Sequence, residues 1–165
     1  MCESFPASEI RTYENQKKLL ERDDYFMIFH EENGQLAGFC GYYRFENFYF
    51  VEHLACTSES RGLGIGSKLM RKILAEAKTT GFMIILEVEV PDDEIKQRRV
   101  QFYERLGFCL NPYYHCQPPL NSHTEGVELK LMSFPKLLTE TEGLQIRRVL
   151  NKSVYQVSEN YNLEI

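Results

Sequence analysis

The spacing of apolar residues along the first half of the chain predicts three consecutive strands. Strand-like runs rich in aromatic and β-branched residues cover Tyr25–Phe29, Gln35–Phe45 and Phe48–Cys56. Asn33 and Gly34 separate the first two runs, and because both residue types tolerate positive φ, the pair is typical of a β-hairpin. We therefore predict an antiparallel meander of three strands.

The period then lengthens to that of a helix, because five apolar residues recur three or four positions apart over residues 62–80: Leu69, Met70, Ile73, Leu74 and Ala77. A nearly apolar run over residues 82–90 predicts a buried central strand. Weaker patterns predict three further elements: an opening helix over 8–22, a helix over 94–106 and a last strand over 127–132. This order predicts an α/β fold with a mixed, mostly antiparallel central sheet flanked by helices.

Composition and charge narrow the class of protein. The chain is 43% hydrophobic and 26% charged, which excludes disordered and fibrous classes. A net charge of −5 argues against a nucleic-acid-binding protein, and no apolar run approaches the ~20 residues of a membrane span. The five cysteines and four histidines show no metal-ligand spacing, so we expect no metal and reduced thiols, as in a cytoplasmic protein.

The segment between the third predicted strand and the following helix carries the sharpest chemical signal. It reads Arg-Gly-Leu-Gly-Ile-Gly-Ser-Lys over residues 61–68. Glycines there let the backbone approach a ligand closely, and amides at a helix N-terminus bind phosphate. The third glycine of a dinucleotide fingerprint would fall on Ser67, and the spacing before Lys68 does not match a Walker A loop. The segment thus predicts a phosphate-binding loop of another kind, with a glycine-rich turn that binds nothing as the alternative.

Two motifs, together with the spacing between them, resemble those of the GNAT superfamily of acyl-CoA-dependent N-acetyltransferases. The diphosphate loop of that family, Q/R-x-x-G-x-G/A, is matched by Arg61, Gly64 and Gly66. Glu52–Cys56 resembles its fourth strand, and Val100–Phe108 resembles its last helix with the ending Y-x-x-x-G-F. The resemblance implies a GNAT-like fold and acetyl-CoA as the cosubstrate.

The same resemblance implies where acetyl-CoA binds. In the family the fourth and fifth strands splay apart, and the pantetheine arm bonds the backbone of the fourth, here Leu54, Ala55 and Cys56. The diphosphate would lie on the loop and helix start formed by Arg61, Gly62, Leu63, Gly64, Ile65, Gly66 and Ser67.

Acyl transfer to an amine needs a neutral amine and a protonated leaving thiolate. The resemblance implies Tyr103 as the general acid and Glu52 as the base, directly or through water. His53 is the rival base, since its unperturbed pKa is ~6.5. Strand alternation places Glu52 and His53 on opposite faces, so that only one reaches the amine. Water acting alone is the third alternative.

The resemblance predicts direct attack of a primary amine on the thioester, and the acceptor is a small-molecule or peptide amine. The alternative is a domain of this kind that binds acyl-CoA as a sensor or interaction module and does not catalyse transfer. Lys96 and Arg99, which stand where the family often has Asn and Ala, keep this alternative open.

The resemblance covers residues 1–133, and the rest of the chain carries its own pattern. We predict a linker over 134–143, a strand over 144–150 and an amphipathic helix over 154–165. These resemble the family's first strand and helix, which the start of the chain lacks. The pattern therefore predicts a circular permutation, or an exchange of residues 144–165 between the two chains of a homodimer.

Overall fold

Two compact units, Met1–Leu86 and Glu87–Ile165, divide the chain. The structure is a computed structural model, and it describes residues 12–119 and 126–163. The first unit contains helix α1 (Tyr13–Leu20), strands β1 (Tyr25–Glu32), β2 (Gln35–Arg44) and β3 (Phe48–Cys56), helix α2 (Ile65–Thr80) and the start of strand β4 (Met83–Glu89). The second contains helix α3 (Glu94–Glu104), strands β5 (Cys109–Leu110), β6 (His115–Gln117) and β7 (Val127–Phe134), and helix α4 (Glu140–Val149).

The strands of the first unit form the predicted meander. Asn33 and Gly34 join β1 to β2 with φ values of 53° and 75°, the left-handed conformations that a tight hairpin turn needs. Strand β2 is antiparallel to both β1 and β3, whereas β4 runs parallel to β3. In the second unit β5 and β6 are antiparallel to β7. The predicted mixed, mostly antiparallel α/β class is confirmed.

Helix α2 covers the meander with its predicted apolar face. All five residues of that face are buried, and the helix contacts β1, β2 and β3. The helix ends where Gly81 takes a φ of 74° and donates its amide to the carbonyl of Ala77. Burial of a periodic apolar stripe therefore fixes the orientation of α2 and, with it, the position of its N-terminus.

Gly41 on β2 leaves room for an aromatic side chain of β1. A Cβ atom at this position would lie 2.2 Å from the hydroxyl oxygen of Tyr25. Tyr25 is buried, and its ring packs edge-on against Tyr43 at a centroid distance of 4.9 Å. Gly41→Ala is therefore expected to lower the free energy of unfolding by about 1–3 kcal/mol, as overpacking of a core does. Urea denaturation measures the change.

Gly143 provides the matched control, because it is buried within α4 and its added Cβ would meet the Tyr113 ring at an ordinary 3.6 Å. Alanine is up to ~1 kcal/mol more favourable than glycine in a helix, so Gly143→Ala is expected to stabilise the protein. Equal stability of wild type and Gly41→Ala would show that the Tyr25 ring moves aside freely.

The C-terminal segment is helical, and the strand predicted over 144–150 is wrong. Helix α4 starts at a capping box in which Thr139 and Glu142 bond each other's backbone amides. A π-helical turn, Leu150–Val154, continues it, and residues 155–163 form turns instead of the predicted helix. The buried residues recur at helical spacing: Gly143, Ile146, Arg147, Leu150, Asn151 and Val154. The permutation and the exchange therefore lose the strand on which they depended, and the predicted linker already contains the first turn of α4.

Candidate functional site

A β-bulge on β3 sets the position of Glu52. Gly41 on β2 pairs with His53, and the next residue, Tyr42, pairs with Val51. Glu52 is thus the extra residue of β3, which the register of the ladder passes over. Bulges re-aim side chains and are common beside active sites.

The bulge brings the two candidate bases together. Oε2 of Glu52 lies 3.3 Å from Nδ1 of His53, and both side chains are at least nine-tenths buried. We expected strand alternation to place these two side chains on opposite faces. That expectation is wrong for their polar atoms, because it holds only for a regular strand and β3 has a bulge here. The carboxylate and the imidazole form one buried pair.

Strand β3 is longer than the part of its ladder with β4 that lies in the first unit. There Phe48–Val51 pair in parallel with Met83–Leu86. Strand β3 continues for five more residues, to Cys56. The splaying of the two strands that the resemblance implies stays a prediction.

The pairing of β3 with β2 determines which main-chain groups of β3 point away from β2. The amide of Thr57 donates to the carbonyl of Ala37 at 3.0 Å, so these residues form a hydrogen-bonded pair. Bonded and non-bonded pairs alternate in an antiparallel ladder. Ala55 therefore bonds β2, whereas Leu54 and Cys56 direct their N–H and C=O groups away from β2.

The glycine-rich loop ends at the N-terminus of α2. Gly62 and Gly64 have φ values of 79° and 76°, which favour glycine, and a Cβ at either position would meet nothing within 4 Å. Gly64 caps α2 without a side-chain hydrogen bond, and the first turn contains no acidic residue. The first amides of a helix have no acceptor within it, so this 16-residue helix presents donors and a positive dipole end to an anion.

Close packing holds this helix end against the sheet. A Cβ at Gly38 on β2 would lie 2.9 Å from the carbonyl oxygen of Ala55 and 3.0 Å from Cγ2 of Ile65, so only glycine fits between them. Burial raises the pKa of the Cys56 thiol, although the backbone amide of Gly66 and the charge of Arg61 oppose the rise. A thiol with a raised pKa is a poor nucleophile, so Cys56 is better suited to packing than to covalent catalysis.

Tyr103 lies on α3 in the second unit and is 8% exposed. Its ring packs edge-on against Phe102 at 5.0 Å and against Phe108 at 5.7 Å. Its carbonyl accepts the amides of Leu106 and Phe108 beyond the helix end at Glu104, and Gly107 between them has a φ of 92°. The ring of Tyr103 is therefore held in one orientation by the packing of its own unit.

The two basic residues of α3 that depart from the family pattern form ion pairs within the second unit. Nζ of Lys96 lies 2.7 Å from a carboxylate oxygen of Asp92 and 3.5 Å from one of Asp93. The guanidinium of Arg99 donates to the carboxylate of Glu89. The hydrogen bond that Lys96 donates to Asp92 is the main cause that raises the pKa of Lys96.

A buried polar cluster in the second unit was missed by the sequence analysis. The carboxylate of Glu87 bonds Nε2 of His115 and accepts from the hydroxyl of Tyr155. Nδ1 of His115 has no partner among the described residues. These residues lie 28 and 68 positions from Glu87, so no local motif could have indicated the cluster.

The described ranges, 12–119 and 126–163, contain neither a metal-binding cluster nor a membrane-spanning helix. Within them, no three or more His, Cys, Asp or Glu side chains are grouped so that they could hold a metal ion. No helix in the same ranges has the length and apolar character needed to span a bilayer.

Comparisons with known proteins identify the family of the chain. Residues 1–108 match the family model described as the acetyltransferase (GNAT) family. YjbC of Bacillus subtilis (strain 168), a protein named as an acetyltransferase, is 33% identical over 94% of this chain and 79% of its own length. A solved GNAT-family protein from Bacteroides thetaiotaomicron has a TM-score of 0.82 and 32% identity, and covers 94% of this chain and 88% of that one.

A more distant structure shares the fold. The GNAT-family acetyltransferase from Elizabethkingia anophelis, solved with acetyl-CoA bound, has a TM-score of 0.55 and 13% identity, covering 74% of this chain and 82% of that one. The family model covers well over half of this chain, and YjbC and the Bacteroides protein match nearly all of it. This chain belongs to the GNAT acetyltransferase family.

Proposed function

We propose that the protein transfers an acetyl group from acetyl-CoA to a primary amine by direct attack on the thioester. The observation that carries the proposal is the N-terminus of α2, which has no side-chain cap and no acid in its first turn and follows the glycine-rich loop after β3. Membership of the GNAT family and the acetyl-CoA bound to the Elizabethkingia protein support this cosubstrate.

The proposed binding mode uses main-chain groups. The diphosphate would accept hydrogen bonds from the first amides of α2, helped by the charge of Arg61 and the positive end of the helix dipole. The pantetheine arm would bond Leu54 and Cys56, whose main-chain groups point away from β2. Ala55, assigned by the resemblance to the same role, already bonds β2.

We assign the proton transfers to two side chains. The amine nitrogen attacks the carbonyl carbon of the thioester, the C–S bond breaks, and the electron pair leaves on sulfur. Glu52, directly or through water, would take the proton that the attacking amine loses, and Tyr103 would give one to the thiolate. The proximity of Glu52 and His53 supports a buried base whose carboxylate oxygen lies 3.3 Å from an imidazole nitrogen.

Glu52→Gln tests the base. The amide cannot accept the proton, so kcat is expected to fall, in the range of about 100- to 10,000-fold that a general base contributes. The residual rate should rise as the pH approaches the pKa of the acceptor amine, since deprotonation in solution then replaces the base. Steady-state kinetics of thiol release across pH measure this.

His53→Gln is the matched variant, because it removes the rival base from the same pair. A wild-type pH profile in Glu52→Gln together with a collapsed rate in His53→Gln would transfer the role of base to the imidazole. Wild-type profiles in both variants would leave water as the only acceptor of the proton.

The net charge of the protein indicates the class of amine acceptor, and a panel of amines tests it. A net charge of −5 favours a cationic acceptor, such as a polyamine, an aminoglycoside or a lysine-containing peptide. Thiol release from acetyl-CoA with each amine is the measurement, and we expect turnover with at least one of them. Binding of acetyl-CoA in calorimetry without turnover on any amine would instead indicate an inactive acyl-CoA-binding domain.

A further inference from the structure

A cavity of about 200 Å³ lies within the second unit, between α4 and the segment that precedes β6. Its lining is mostly apolar and aromatic: Tyr113, Tyr114, Leu131, Gly143, Leu144 and Arg147. Gly143 and Leu144 lie four and three positions before Arg147 on α4, so one face of the helix covers the cavity. Gly143 has no side chain to fill the space beside the Tyr113 ring, where a Cβ would stand 3.6 Å from the ring.

Arg147 is the charged group of this cavity, and it is only 6% exposed. Its guanidinium has five N–H donors, and its one described acceptor is the carbonyl oxygen of Asn162. No carboxylate among the described residues lies within ion-pair distance of it. Burial lowers the pKa of Arg147, so the charged form is destabilised in this position.

A buried cation without an acidic partner is costly unless an anion joins it. A carboxylate accepts two parallel hydrogen bonds from a guanidinium and is the anion that best fits its planar fork. The apolar and tyrosine-lined remainder of the cavity suits a flat hydrocarbon ring. Pockets for drug-sized ligands measure about 300–1,000 Å³, so this smaller volume limits the ligand to about one ring with a short acidic arm.

We propose that this cavity binds a small aromatic carboxylate, with the carboxylate on Arg147 and the ring against Tyr113 and Tyr114. The site does not depend on the acetyl-transfer function, because all of its residues lie in the second unit and none is assigned to acetyl-CoA or to catalysis. Glu140 also lines the cavity, but it is exposed at the first residue of α4, two helical turns from Arg147. The anion therefore has one charged partner at the buried end and one acid at the rim.

Isothermal titration of the full chain with phenylacetate and with the neutral isostere phenylacetamide tests the proposal. We expect phenylacetate to bind at least tenfold more tightly than the amide, because only the carboxylate pairs with the guanidinium. Acetate, which lacks the ring, should bind at least tenfold more weakly than phenylacetate. Equal affinities for phenylacetate and phenylacetamide, or no binding of either, would overturn the proposal without using any variant.

Arg147→Met keeps the length of the side chain and removes its charge, so the preference for phenylacetate over the amide should disappear. Arg148→Met is the matched control, since Arg148 is the neighbouring residue of α4 and is exposed. It should keep the full preference. A preference that survives in Arg147→Met would overturn the assignment. If that variant does not fold, Arg147→Lys, which keeps the charge but not the planar fork, must still lower the preference at least threefold.

Discussion

Gly66→Asp is expected to weaken acetyl-CoA binding by at least about 100-fold and to leave the fold intact. Gly66 is the second residue of α2, so the new carboxylate would stand among the amides proposed to hold the diphosphate. Two like unit charges ~4 Å apart near a protein surface repel by roughly 4 kcal/mol, and every ~1.4 kcal/mol is a tenfold change in Kd. A negative charge in a first turn favours the helix by ~0.3–1 kcal/mol, so Tm should not fall.

Gly66→Ala is the control for this experiment. It adds bulk without charge, and the loop of the GNAT family accepts either glycine or alanine at this position. We expect less than a tenfold change in Kd for acetyl-CoA, measured by isothermal titration beside a thermal melt of each variant. Undiminished affinity in Gly66→Asp, with the fold retained, would remove the diphosphate from this end of α2.

The strands and helices of the first unit could be predicted because their apolar residues recur at strand or helix spacing, and these residues are the ones that form the core. Strand β3 has the predicted bounds, and the five residues that the spacing selected on α2 are all buried, together with Ile65. Gly38 and Gly41 lie where a backbone or a side chain approaches too closely for a Cβ. A local sequence pattern is enough to predict an element when the buried residues of that element recur at regular spacing.

The geometry of the candidate base could not be predicted from the pattern of β3 alone. The position of Glu52 depends on how β2 pairs with β3, and the register skips that residue between His53 and Val51. A bulge arises from the way two strands pair, whereas the sequence of one strand shows only how its side chains alternate between the two faces. The contact between Glu52 and His53 is therefore information that comes from the structure.

The error over residues 144–150 has a different cause. The buried face of α4 and the turn after it includes a glycine, an arginine and an asparagine, namely Gly143, Arg147 and Asn151. These non-apolar residues interrupt the helical period, and the remaining Leu144, Ile146 and Leu150 resemble an alternating strand. The capping pattern Thr139 to Glu142 was the local signal for a helix. Asn151 is buried because its amide bonds the carbonyls of Glu159 and Tyr161, which no local pattern reveals.

Tyr103→Phe is expected to lower kcat by roughly 10- to 1,000-fold, the range for loss of a general acid, with little change in the Kd of acetyl-CoA. The substitution removes only the hydroxyl, so the edge-on contacts of the ring with Phe102 and Phe108 remain. The alkaline limb of the pH profile of kcat should also change, because that limb reports the acid in the complex. Thiol release with saturating acetyl-CoA and one good amine measures both.

Tyr49→Phe is the control for Tyr103→Phe, because it deletes a buried tyrosine hydroxyl that has no assigned role in catalysis. That hydroxyl donates to Glu76 at 3.0 Å, so its loss should lower stability by about 1 kcal/mol. Its kcat should match that of the wild type at temperatures well below Tm. If Tyr103→Phe instead shows the same kcat and pH profile as Tyr49→Phe, the Tyr103 ring serves only to pack α3, and the leaving thiolate takes its proton from another group or from water.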